Sequence, residues 1–479
     1  MAHSRFTFLL RGSSLACLAL AFGSGAALAQ SADLPETQAR RGAGAAIDAA
    51  GANEAAQMAP LGPNETVTYA QVLQAPADVG LNYRFALSEI RAGRLKSASA
   101  ALDRILLAKP DLAEVRLLYA IVLYRLDSDT DAVRELDAVS KMTLPAEIKR
   151  QVETYRAAIE KRRRTTRYTF NLSVGFQGDT NRSATPTDNK VLFIDIPLKV
   201  AKSKADGALL AIGSFRVEHD PGFQDRHTLF AQTTSYMDEQ KDLRRQSFQF
   251  HSLESGVNWN LPRDTVTTSM TLEHMRMQDR PYMLAFGPKA RLQHRIDAAF
   301  DVFAQAQYRW QNFNNISATV EGSAVAPLAS NRTGARFDAE VGGRWTLSPS
   351  HQLELSFNLT EKNAEAGYEA YKGEGVQLSH TWLLGNGQFL LSSAQAGLQI
   401  YDQRDSFISA KTRRDWTYLG RVTYGVPVAN LLPDDTLPDG LIGLVMTTSL
   451  EGQRVKSSID NYDYSTIRGQ WLLSKRWEF

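Results

Sequence analysis

The sequence predicts two folded parts in tandem: an all-α helical-repeat domain, followed by an antiparallel transmembrane β-barrel of about 14 strands. Three observations carry that expectation. The hydrophobic period changes from helical to alternating near residue 166. The alternating runs are about ten residues long, the length that crosses a bilayer at a tilt. The last run ends on an aromatic residue, Phe479.

At the start, Arg5 and Arg11 precede the apolar stretch Leu15 to Phe22 and then Ala27-Leu28-Ala29. This is the pattern of a signal peptide over residues 1–29, cleaved before Gln30. The only cysteine, Cys17, lies inside it, and Ser14-Leu15-Ala16 is a poor lipidation signal. The mature chain is therefore expected to hold no disulfide, thiolate metal site or thiol nucleophile. Residues 30–78, rich in Ala, Gly, Gln and Pro, read as a flexible leader or linker.

Residues 79–164 read as helical and repetitive. Ala86, Gly93, Ala98 and Leu102 recur at one constant offset as Ala120, Asp127, Ala132 and Leu136. That offset matches the period of tetratricopeptide repeats. The small alanines let paired helices approach closely, and the leucines fill the space between them. Gly93 suits the turn between helices and Pro110 the break after a hairpin. The family's tryptophan is absent, so a plain pair of helical hairpins is the alternative. Pro145 opens a segment expected to be a capping helix over an otherwise uncovered apolar face. The run Lys161 to Arg164 closes it as a solvated helix end or a contact to lipid headgroups. Repeat register marks Tyr83, Arg91, Tyr124 and Arg125 as candidate cargo-binding groove positions, Tyr and Arg being common at binding hot spots.

Residues 165–479 form the expected barrel. Ile296, Ala298, Phe300, Val302, Ala304, Ala306, Tyr308 and Trp310 share one face, opposite Asp301, Gln305, Gln307 and Arg309. Phe337, Ala339, Val341, Gly343, Trp345 and Leu347 likewise oppose Arg336, Asp338, Glu340 and Arg344, and Trp416, Tyr418, Val422, Tyr424 and Val426 align. The expected strands start near residues 167, 206, 227, 246, 265, 282, 296, 333, 351, 373, 387, 414, 440 and 462. The run near 282 is interrupted by Gly287-Pro288. If strand one runs outward, odd-to-even connections should be long and even-to-odd ones short. "NLPRD", "SPS" and "LGNG" fit, whereas "ANLLPDDTLPDG" does not. In the closing strand Trp471, Leu473, Trp477 and Phe479 share a face that Lys475 interrupts. Trp477 and Phe479 are read as the signal for the barrel assembly machinery.

Motifs of catalysis are sparse. With 54 basic and 52 acidic residues the formal charge is +2, which does not advertise nucleic-acid binding. The eight histidines form no HExxH, and there is no G-x-S-x-G elbow or phosphate-binding glycine loop. Barrel lipases carry serine and histidine on their outer wall, and His251-Ser252 or His380 could imitate that. The bland reading, a girdle or lumen histidine, is preferred. No enzyme activity, cofactor or metal is expected.

At the barrel start stands "GFQGDTNRSATP", residues 175–186, with Gly175, Asp179 and Asn181 in a Gly-x-x-x-Asp-x-Asn arrangement. This resembles the barrel opening of the surface lipoprotein assembly modulator family, the outer-membrane component of type XI secretion. That family also pairs periplasmic tetratricopeptide repeats with a barrel thought to have fourteen strands. The resemblance covers roughly residues 79–479 in architecture. It implies an outer-membrane translocon with a periplasmic helical domain, delivering a secreted or lipoprotein cargo to the cell surface. Its partners would be that cargo, the barrel assembly machinery and outer-membrane lipid. The alternatives are a pore exporting polysaccharide or passing small solutes, and a barrel that presents adhesive loops.

Overall fold

The structure, a computed structural model, describes residues 65–479 other than 143, 223–226, 262, 316–328 and 433–442. The signal-peptide reading and most of the leader lie outside these residues. The chain divides between Arg164 and Thr165 into a helical unit and a β unit.

The helical unit comprises α1 (Tyr69–Gln74), α2 (Val79–Arg91), α3 (Leu95–Ala108), α4 (Ala113–Arg125), α5 (Asp129–Ser140) and α6 (Ala146–Arg163). The α4–α5 hairpin repeats the α2–α3 hairpin helix for helix, at the offset the sequence announced. Ala86, Ala98, Leu102, Ala132 and Leu136 are fully buried, so the small residues do sit where helices touch. Gly93 has φ +75°, and Asp127, its counterpart one repeat later, has φ 61°. Each interhelical turn thus needs a left-handed residue, which glycine adopts freely and aspartate tolerates. Val152, Tyr155 and Ile159 of α6 pack on Leu117, Ile121, Leu136 and Val139, covering the outer face of the second hairpin. The unit begins earlier than the sequence suggested. Val67 and Val72 are buried against α2 and α3, and Gln71 accepts from the Thr68 backbone N–H at 2.7 Å, capping α1. Two apolar residues in a polar stretch are too few to show a period.

In the β unit, fourteen strands close into an antiparallel barrel. They are β1 (Thr166–Asp179), β4 (Asp206–His219), β5 (Thr228–Gln240), β6 (Phe248–Asn260), β7 (Asp264–Met277), β8 (Arg280–Arg295), β9 (Phe300–Phe313), β10 (Gly334–Ser348), β11 (His351–Lys362), β12 (Tyr371–Gly385), β13 (Gln388–Tyr401), β14 (Arg414–Pro427), β15 (Leu444–Ser457) and β16 (Tyr464–Glu478). The remaining strands, β2 (Lys190–Phe193) and β3 (Ile196–Lys199), form a separate hairpin in the first long connection. Alternation there is too short to have announced it. The barrel strands run from 12 to 16 residues, longer than the apolar runs because their ends continue past the apolar belt.

Alternation sorts the wall as expected. In β9, Ala304, Ala306, Tyr308 and Trp310 face outward and are exposed, while Phe303 and Arg309 face inward and are buried. Ile296 and Ala298 do not belong to that strand. Asp297 turns the chain by accepting from the backbone N–H groups of Ala299 and Phe300 at 2.7 and 2.8 Å. Despite Gly287-Pro288, β8 is continuous. Its pairing with β9 skips those two residues and resumes at Lys289 with Gln307. Proline has no N–H to give, and the glycine is required because a Cβ there would lie 2.0 Å from the Tyr308 carbonyl oxygen.

One rim carries both ends of the barrel, where Tyr168 and Phe479 exchange backbone hydrogen bonds of 3.0 and 3.2 Å. Connections on this rim are mostly short: 261–263, 296–299, 349–350 and the Asn386-Gly387 turn, with left-handed φ of 49° and 74°. The far rim carries 180–205, 314–333 and 402–413. Two connections depart from the rule. Residues 278–279 make a tight far-rim turn, and 428–443 is long on the near rim.

Candidate functional site

The barrel interior is the natural candidate site, because alternation delivers the polar half of every strand to it. Arg309 reaches Glu273 at 2.9 Å and Asp338 at 2.6 Å. Arg336 and Thr360 also bind Asp338, each at 2.8 Å. Lower down, Arg344 pairs with Glu354 at 2.8 Å. On the other side Arg468 bridges Asp179 at 2.8 Å and Glu451 at 3.1 Å, and Arg421 pairs with Glu451. Cross-strand pairing lets the wall hold many of its charges as neutralised pairs. By contrast, β12 and β13 turn Gly373, Gly375, Gln377 and Ser379, and Gln399, Gly397, Gln395 and Ser393, to the inside, a sector without charge. The lining therefore offers fixed ions on most of its circumference and neutral amides and hydroxyls on the rest.

The far rim is structured by the β2–β3 hairpin. Its turn, Ile194 and Asp195, has left-handed φ of 50° and 59°. The turn docks on the 402–413 connection: Ile194 N–H donates to Phe407 and Asp195 N–H to Ile408, each at 3.0 Å. The Asp195 carboxylate accepts from the Ser409 hydroxyl at 2.5 Å and the Ala410 N–H at 2.9 Å. The serine hydroxyl chiefly, and then the amide, hold that carboxyl below its ordinary pKa. Beneath it, Leu192 packs on Ile408, Ile459 and Tyr462.

The motif at the barrel start sits at the seam between β1 and β16. Gly175 pairs with Leu472, and a Cβ there would lie 1.9 Å from the Trp471 carbonyl oxygen. Asp179, buried, accepts from the Asn181 N–H at 2.8 Å and from Thr466 and Arg468. Asn181 donates to the Ser465 carbonyl at 3.0 Å and to the Thr185 carbonyl at 2.9 Å. These three residues therefore clasp the first strand to the last. Trp477 stacks on Phe170 across the same seam at 5.3 Å, and Trp471 on Phe176 at 6.3 Å. Lys475 faces outward as the sequence suggested, its ammonium 5.4 Å from the Trp477 ring.

The candidate groove residues do not form one surface. Tyr83 is buried in the core of α1 to α4, and burial, with Glu114 nearby, pushes its phenol up to about 12. Its place in the groove is corrected: its helix face turns toward the apolar interior. Tyr124 is half-buried and meets Tyr155 edge-on at 6.0 Å. Arg91 and Arg125 are exposed, each in the last turn of its helix, where cations oppose the helix dipole.

His251 and Ser252 point to opposite sides of β6 and cannot act together. His251 instead meets Ser235 on the outer wall at 3.0 Å through Nδ1 and stacks on His274. His380 lies outside too, beside His351 and Trp382. The alternating pattern revealed which charges face inward, but not which Arg meets which carboxylate, since most partners lie on other strands.

No protein-family model matches the chain, and no curated protein matches it. Among solved structures it is similar to the COG4313 outer membrane channel from Pseudomonas putida F1. That match has 14% identity and a TM-score of 0.34, over 65% of this chain and 95% of that one. A Pseudomonas aeruginosa FadL homologue matches at 8% identity and TM-score 0.35, over 67% and 92%. Acinetobacter baumannii OccAB1 matches at 8% and 0.33, over 66% and 97%. At such TM-scores these likenesses carry no inference about function.

Proposed function

We propose that the chain is an outer-membrane transport protein whose barrel carries material across the membrane and whose helical unit handles that material in the periplasm. The observation that carries this reading is the segregation of the wall. Leu172, Leu209, Leu253, Val341, Phe357 and Leu450 are exposed on the outside of a closed barrel, while ion pairs and amides line the inside. In water such an exterior would aggregate; in hydrocarbon it is the required surface, and closure leaves no unpaired strand edge. The near rim, with its mostly short turns, faces the periplasm, and the helical unit precedes the strand that starts there.

The finer reading is delivery of a protein cargo, lipoprotein or soluble, to the cell surface. It is supported by the repetition of the helical hairpin at the tetratricopeptide offset and by the seam motif Gly175, Asp179 and Asn181. Its partners would be that cargo, the barrel assembly machinery and outer-membrane lipid. Deleting residues 65–164 is expected to leave a heat-modifiable barrel that no longer exposes its cargo to protease on intact cells. Unchanged cargo exposure would refute delivery by the repeats. The uncharged β12–β13 sector favours a second reading, passage of small neutral solutes. Lost sugar uptake in a full deletion, with surface proteins unaffected, would establish that reading instead.

A further inference from the structure

We infer that the outer wall between β12 and β16 holds a binding site for one net-anionic phospholipid, its acyl chain in a groove and its negatively charged headgroup on Arg414 and Lys456. The inference rests on the outer-membrane reading. Register sets Leu378, Ala394, Gly420, Gly452 and Ile467 side by side across five strands on the outside of the barrel. Leu378 and Ile467 stand out from the wall, as does Tyr418. Gly420 and Gly452 between them present only backbone. The result is a groove of about 780 Å³, whose lining also includes Val376, Ala396 and Arg454.

A recess this apolar does not hold water in a membrane; hydrocarbon fills it. A lipid chain lying there touches a floor of Ala and Gly and the flank of the Tyr418 ring, and is more confined than a chain on the convex wall. Charge complementarity selects the head. Toward the far rim the same outer face carries Trp416 directly opposite Lys456, with Arg414 two residues from Trp416 and paired with Ile400. Both cations are exposed. Arg454 is already engaged, 2.6 Å from Asp463 and 3.0 Å from Thr187, and exposed Lys372 and Glu374 lie farther along the same rows on β12, so the cations beside Trp416 that face an incoming anion are Arg414 and Lys456. A tryptophan between two cations at the end of an apolar belt is the arrangement that receives a headgroup at the membrane interface.

The test uses full-length protein released from nanodiscs of equal phosphatidylglycerol and phosphatidylcholine with identical chains, read by native mass spectrometry. Wild type should retain phosphatidylglycerol over phosphatidylcholine by at least about fivefold, the preference one lysine or arginine supplies near a charged head. The double variant Gly420→Phe, Gly452→Leu fills the groove and should lose most of both lipids. A Cβ at either position meets nothing within 4 Å, so the barrel accepts the change. Arg414→Gln with Lys456→Gln should keep bound lipid but abolish the headgroup preference. Equal retention of both lipids by wild type, unchanged retention after filling the groove, or a lipid-free dimer joined through this face would overturn the site. Heat-dependent gel mobility of the same preparation separates the two levels. A heat-modifiable barrel without lipid preference refutes this inference alone; a chain without the shift refutes the membrane reading and this inference with it.

Discussion

Arg468 on the last strand donates through Nε to the carboxylate of Asp179 on the first, at 2.8 Å, across the seam that closes the barrel. The same carboxylate takes the Asn181 N–H, so one buried acid ties the strand end, the following loop and the closing strand together. In Asp179→Asn the new amide presents a donor to Arg468. The expected cost is about 1.5–3 kcal/mol, the range for a hydrogen bond to a charged group. It should appear as a lower temperature for loss of the fast-migrating barrel on gels. Arg468→Gln also loses its contact to Glu451, but its Asp179 part should be non-additive with Asp179→Asn, since both remove that interaction; full additivity would show that the clasp is not a unit.

Phe479 ends the ladder on the near rim through two backbone hydrogen bonds with Tyr168. Deleting it removes both bonds and the terminal aromatic. Lower outer-membrane yield and more degradation are expected, measured by quantitative blotting. Normal levels would show that the terminal residue contributes little to assembly.

The two faces of the wall should respond oppositely to charge. Val341, exposed on the outside of β10, becomes costly as lysine, by about 2–4 kcal/mol if it sits near the midplane. Gln305 faces the interior of β9, and its change to lysine should cost much less. Folding titrations into lipid vesicles measure both. Equal costs would contradict the assignment of inside and outside.

The paired turns of the helical unit predict opposite signs. Gly93→Ala places a side chain at φ +75°, a strain of about 1–2 kcal/mol. Asp127→Gly relieves the same strain at φ 61° and should be neutral or stabilising by up to about 1 kcal/mol. Hydrogen exchange of α2 and α4 in the full chain would report both changes.

Acid should loosen the far-rim hairpin. The Asp195 carboxyl is held below its ordinary value by Ser409 and Ala410. Its contribution is therefore present above the unfolded pKa of about 4 and is lost as pH falls through the depressed folded value. Protease sensitivity of residues 190–199 should rise only below about pH 4, and Asp195→Asn should show much of that sensitivity at neutral pH. A rise beginning near pH 6 would point to a histidine instead.

Features that depend on local period can be read along the chain alone. The change from helical to alternating spacing, the recurrence of Ala98 as Ala132 one repeat later, and the outward face of β9 from Ala304 to Trp310 needed only the pattern along the chain. All fourteen barrel strands could be placed this way, even β8 with its Gly287-Pro288, because a proline in a long alternating run weakens one side of the ladder without reversing the faces. Contacts between residues far apart in the chain emerge only when the strands pair and the helices pack. Asp179 and Arg468, Asp195 and Ser409, and the glycines 420 and 452 that open the outer groove meet through strand register. Tyr83 shows the same limit inside a helix: repeat register suggested a groove position, but the packing of α1 to α4 set its side chain in the core. Period tells a side chain which face it occupies. Register and packing decide what that face meets, and these are properties of the closed barrel and the stacked helices rather than of any one segment.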